Sequence, residues 1–126
     1  MKDCAFCKIV KKEISSFKVF ENDDVYAFYD INPVSKYHTL VIPKKHYENL
    51  YDIPEKELVE TMKVVKKIVL MYRKKFGIKN VQIFNSSGKE AQQEVPHFHF
   101  HIVPRKAGDG QDIKMKKYPE LVKEYC

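Results

Sequence analysis

No run of apolar residues in this chain approaches the length of about 20 that crosses a bilayer. Met1-Lys2-Asp3-Cys4 opens it without the hydrophobic region of a signal peptide. An intracellular, cytoplasmic protein with no membrane partner is therefore expected. Internal repeats and low-complexity tracts are also missing, so nothing divides the 126 residues, and the length assigns them to a single domain spanning 1–126. Arginine is scarce. Arg73 and Arg105 are the only two, so the net charge of +6 is almost entirely lysine. No nucleic-acid motif accompanies that charge, and Lys63, Lys66, Lys67, Lys74 and Lys75 fall on a predicted helix, as a solvated face. The balance favours an anionic small molecule over nucleic acid.

The remainder has a soluble composition, 44% apolar and 32% charged. Phe6, Ile9 and Val10 alternate with Lys8, Lys11 and Lys12 as a short amphipathic helix. Residues 17–20 and 25–29 read as strands joined by the turn Glu21-Asn22-Asp23-Asp24. His38 to Pro43 form a third, buried strand, and Val81 with Ile83 a fourth that ends at Asn85. Between them, Pro54 to Phe76 is helical, with Leu58, Met62, Val65, Val69, Tyr72 and Phe76 on one face. Asp52 with Glu55 resembles a capping box, and Gly77 is placed to end the helix. Residues 106–112 read as loop and 118–125 as a short helix. The order predicts the α+β class: an antiparallel five-stranded sheet with one long helix and a short N-terminal helix.

The chemistry concentrates in His97-Phe98-His99-Phe100-His101-Ile102. In an extended segment successive side chains point to opposite faces, so the three histidines share one face and the apolar residues line the other. Imidazole titrates near neutrality and serves as metal ligand, acid, base or nucleophile. His99 has a second imidazole on either side to orient phosphate oxygens, which makes it the candidate nucleophile. Cys4-Ala5-Phe6-Cys7 reads as a metal half-site or a redox dithiol. No thioredoxin-like βα pattern surrounds it. A zinc site needs two more ligands, for which His38, His46 and the triplet are available.

The triplet resembles the signature of the histidine-triad (HIT) family of nucleotide hydrolases and transferases. Asp30-Ile31-Asn32-Pro33, His38-Thr39-Leu40-Val41-Ile42-Pro43-Lys44-Lys45-His46 and Asn85-x-x-Gly88 stand where that family has its other landmarks. The likeness covers about residues 4–105 and leaves a tail, 106–126, outside. It implies a homodimer and a nucleotidyl group carried covalently on His99. It gives His101 to the phosphate oxygens, Asn85 and Gln93 to the phosphate and leaving group, and Asp30 to the ribose hydroxyls. It puts the base in a slot of Phe6, Ile9, Phe28, Tyr29 and Ile31. Its metal-binding members imply structural zinc on Cys4, Cys7, His46 and His97. His101 disfavours the uridylyltransferase branch, which carries glutamine there, and Glu94 stands where the phosphoramidase branch usually has serine. The expected activity is hydrolysis at the α-phosphate of AMP-linked compounds, a purine-nucleotide ligand being implied. The alternatives are a dinucleoside polyphosphate hydrolase and a nucleotide-binding module with little turnover.

Overall fold

The computed structural model describes residues 3–111 and 115–125. Its elements follow in the order α1 (Ala5–Val10), β1 (Lys18–Glu21), β2 (Val25–Tyr29), β3 (Thr39–Pro43), α2 (Glu55–Phe76), β4 (Val81–Phe84) and β5 (Phe100–Pro104), with short 3₁₀ turns at Lys89–Ala91 and Pro119–Glu124. The five strands form one antiparallel sheet in the order β1-β2-β3-β5-β4. The Asn22 side chain closes the first hairpin by accepting from the amides of Asp24 and Val25. Among the described residues no helix is long and apolar enough to cross a membrane.

β3 is buried along its whole length, as expected of an apolar run held between two neighbours. Residues directly opposite in an antiparallel pair share a face. Leu40 opposes Phe28 and His101, and His101 opposes Phe84. That face carries α1 through a cluster of Cys4, Phe6, Tyr26, Phe28, Leu40 and Ile42. The opposite face holds the larger core, where Val25, Ala27, Val41, Phe98, Phe100 and Ile102 meet α2. The sheet thus separates a packing side from a working side.

Several expectations needed correction. The ladder of β5 starts only at Phe100, so of the three histidines His101 alone lies within it. Phe98 N–H donates to the Tyr47 carbonyl at 2.7 Å, and the side-chain amide of Asn85 bonds the His99 carbonyl at 2.9 Å. These partners replace a ladder, and the extended alternation survives. Asp52 makes no capping box; its carboxylate accepts from the amides of Glu48 and Asn49, while Pro54 occupies the cap position of α2 without a side-chain bond. The buried line of α2 runs through Thr61, Val64, Val65, Ile68 and Tyr72, leaving Met62 and Phe76 half-exposed. Thr61 reaches the core because its hydroxyl donates to the Glu57 carbonyl within the helix, a satisfaction that hydrophobic periodicity does not register. Gly77 ends α2 as expected, at φ 71°. The loop at 106–112 is described as far as Gln111, and Asp112 lies outside the described residues.

Candidate functional site

Three imidazoles meet on the working face. His99 is buried, and its Nδ1–H donates to the His97 carbonyl at 2.8 Å. A carbonyl only accepts, so this bond fixes the tautomer and leaves the Nε2 lone pair free. His38, just ahead of β3, accepts the Val34 N–H on Nδ1 at 3.1 Å. Its neutral form therefore carries hydrogen on Nε2, which lies 3.0 Å from His101 Nδ1 and 3.5 Å from Asp30 Oδ2. His101 is in turn an acceptor on Nδ1 and a donor on Nε2. Phe84 stacks on its ring at 4.4 Å and holds the plane. The row thus presents one lone pair and one N–H side by side.

Burial keeps these rings neutral. It lowers His38 and His99 below the ordinary imidazole range, with nearby carboxylates acting the other way. For His101, burial and then the neighbouring imidazoles of His99 and His38 lower the pKa to about 4.

Around the row lies a cleft of about 680 Å³. Phe6 and Ile9 of α1, Phe28 and Asp30 from β2 and its end, and Ile31 form one side. Phe84, Ser86, Gln92, Glu94 and Val95 also line the cleft, Val95 packing against the cluster that holds Phe6 and Phe28. Phe6 sets its ring edge-on to His99 at 5.2 Å and to Phe28 at 5.4 Å. Asp30 accepts the Asn32 N–H on one oxygen and leaves the other toward His38.

Of the residues assigned to the slot, Tyr29 is the exception. It points through the sheet to the α2 side and packs against Tyr37. Adjacent residues of a strand cannot both face one slot, and Phe28 takes it. Asn85 and Gln93 do not line the cleft either. The Asn85 amide donates to the His99 carbonyl, and its oxygen accepts from Ser87. Gln93 donates to the carbonyls of Glu48 and Val95 and accepts from Gly88 N–H. Both amides organise the main chain from which the histidines project.

His38 as partner of His101 was missed by sequence reasoning, as was the wall of Phe84, Ser86 and Gln92. A signal for His38 was present: it shares the parity of Leu40, so it falls on the triad's face once β3 pairs with β5.

Beside the cleft, Cys4, Cys7, His46 and His97 bring their ligand atoms within 4.8 Å of one another. His97 donates Nε2–H to the Pro43 carbonyl at 2.8 Å, which leaves Nδ1 as a lone pair 3.3 Å from Cys4 Sγ and 3.5 Å from Cys7 Sγ. His46 Nδ1 lies 3.3 Å from Cys7 Sγ. A tetrahedral zinc with sulfur and nitrogen ligands has ligand–ligand edges of roughly 3.6 Å, so the four donors fit such an ion. Burial and the adjacent Cys4 push the Cys7 thiol up to about 11, an arrangement that a cation would relieve.

A paired histidine row lies beside a cleft on a five-stranded antiparallel sheet, and comparison with known proteins shows the family to which such a chain belongs. The HIT domain family model matches residues 11–108. A HIT-like protein of Methanocaldococcus jannaschii is 50% identical over 111 residues, covering 88% of this chain and 85% of that protein. The adenosine 5'-monophosphoramidase HNT1 of Saccharomyces cerevisiae is 42% identical over 103 residues, 82% of this chain and 63% of that one. A zinc-bound histidine triad family protein from Mycobacterium smegmatis shares the fold with a TM-score of 0.84 at 32% identity, covering 94% of this chain and 86% of that one. The chain belongs to the HIT family.

Proposed function

We propose that the protein hydrolyses AMP-linked phosphoramidates through a nucleotidyl group carried on His99. The observation that carries the reading is the bond from His99 Nδ1–H to the His97 carbonyl, which leaves Nε2 as a nucleophile in the cleft. The nucleoside fits the side formed by Phe6, Ile9, Phe28 and Ile31, with the Asp30 carboxylate as acceptor for ribose hydroxyls. Nε2 attacks the α-phosphorus, forming an N–P bond as the P–N bond to the leaving amine breaks. The bonding pair goes to the amine nitrogen, which takes up a proton. His101 Nε2–H donates to the phosphate oxygens and is held in that state by His38. Water then attacks phosphorus, its proton is released, and AMP leaves as His99 recovers its lone pair. Relatives named adenosine 5'-monophosphoramidase, at 42% and 39% identity, support hydrolysis of this class.

In the same reading zinc sits on Cys4, Cys7, His46 and His97, filled by four protein ligands and therefore structural. Cysteines free of disulfides accord with a reducing, cytoplasmic setting. The chain acts as a homodimer, a reading supported by the half-exposed apolar residues Val59, Met62 and Leu70 of α2 and Ile83 and Phe84 of the edge strand β4.

The His99→Ala variant tests the mechanism. It should lose hydrolysis of adenosine phosphoramidate by at least about 1,000-fold, in line with loss of a covalent nucleophile, while calorimetry still detects AMP binding. Hydrolysis at the parent rate by that variant overturns the nucleophile assignment.

A further inference from the structure

The cleft differs in charge from the molecule that holds it. The chain carries +6, yet among the described residues lining the cleft there is no lysine or arginine, and the formal charges there are the carboxylates of Asp30 and Glu94. Basic residues lie elsewhere: a separate cavity of about 810 Å³ near the C-terminal end of α2 is lined by Lys36, Lys79, Lys106 and Arg105, the last paired with Asp109. The histidine row divides the catalytic cleft along the strand order. The β2 side, with Phe28 and Asp30, receives the nucleoside in the reading above. The group on the far side of phosphorus is left with the β4 side, where Phe84 stacks on His101, and Glu94 lines the same cleft close enough to His99 to act on it electrostatically. Among the described residues, none forms an ion pair with Glu94, so its charge is not cancelled by a neighbour. A polyphosphate leaving group would meet this carboxylate without a cation to offset it, whereas a positively charged one would be attracted.

We propose that Glu94 selects the leaving group by charge, so that the site prefers AMP amides of amines bearing a second, cationic group over neutral amides and over polyphosphate-linked nucleotides. This rests on the phosphoramidate reading above. The chemistry of the step is unchanged: the P–N bond breaks, its electron pair and one proton go to the departing nitrogen, and the remote ammonium of the same amine stays beside Glu94.

The test compares kcat/KM for three substrates: the AMP amide of butylamine, the AMP amide of diaminobutane, and diadenosine tetraphosphate. Glu94 is exposed, and an exposed charge pair is worth at most roughly 1 kcal/mol, so the parent should favour the diaminobutane amide over the butylamine amide by about twofold to fivefold. It should also favour either amide over the tetraphosphate. In Glu94→Gln the ratio between the two amides should fall to about one, while Glu94→Asp, which keeps the charge, should retain a preference. High salt should shrink the ratio in the parent. Equal rates for the two amides in the parent, or an undiminished ratio in Glu94→Gln, overturn the charge selection alone. Failure of the parent to cleave either amide overturns the hydrolase reading as well.

Discussion

His99 and His101 lie two residues apart, and their hydrogen bonds turn opposite chemistry toward the cleft: a lone pair on one Nε2 and an N–H on the other. That difference has a consequence for pH. Burial lowers His38, His99 and His101 from the ordinary value of 6.5, His101 to about 4. A lowered imidazole stays neutral as the solution is acidified through 6.5, so His99 keeps its lone pair there. The acid limb of kcat/KM, followed from about pH 4 to about pH 8, should therefore lie below 6.5. The linked stability is intact above the unfolded value and is lost as pH falls toward the folded one. An acid limb at or above 6.5 contradicts this account. At this scale the triad was legible because alternation along an extended segment is a local property. The jobs of Asn85 and Gln93 were not, since an amide in a loop reads identically whether it meets a ligand or a neighbouring carbonyl. Tyr29 could have been excluded beforehand, because its neighbour Phe28 already held the slot.

The short helix α1 serves two sites at once. Cys4 caps it, accepting the Cys7 N–H at 3.3 Å, and both thiols face His46 or His97. One residue along, Phe6 closes the cleft against His99 and Phe28. His97 joins the two, with its ring in the cysteine cluster and its carbonyl bonded to the His99 ring. Six residues do not hold a helix in water by themselves, so this one is docked by Phe6, Ile9 and Val10 against the sheet together with the cysteine cluster. The native protein should carry about one zinc per chain, as a closed set of four ligands requires. In Cys4→Ser the metal should be lost, the melting temperature should fall and AMP should bind more weakly. Elemental analysis with a thermal melt checks this, and a metal-free native preparation stands against it. The long helix teaches a different lesson. Its existence, start near Pro54 and stop at Gly77 followed from pattern and glycine, whereas its buried line shifted toward Thr61 and Val64, which a count of large apolar residues passes over.

Taken whole, the molecule packs α2 on one face of the sheet and gathers its histidine row and α1 on the other, and leaves apolar side chains exposed on α2 and on β4. Val59, Met62, Leu70, Ile83 and Phe84 are each at least 36% exposed, and β4 is an edge strand. Light scattering at micromolar concentration should report twice the mass of the 14.9 kDa chain; a single-chain mass under those conditions removes the homodimer.

The order of residues along the chain was enough for the element sequence, the sidedness of His97 to Ile102, the cysteine pair and the family likeness. Each of these depends on neighbours a few positions apart, where backbone geometry sets direction. Which nitrogen is free was settled close by for His99 and His38, by the His97 carbonyl and the Val34 N–H, but by partners far away in the chain for His97 and His101. His101 lies 63 residues from His38, and Cys4 lies 93 from His97. Such contacts exist only after β3 has paired with β5 and α1 has packed onto the sheet, because hydrogen bonds and metal-ligand sets are read in distances between atoms, and spacing along the backbone does not carry them.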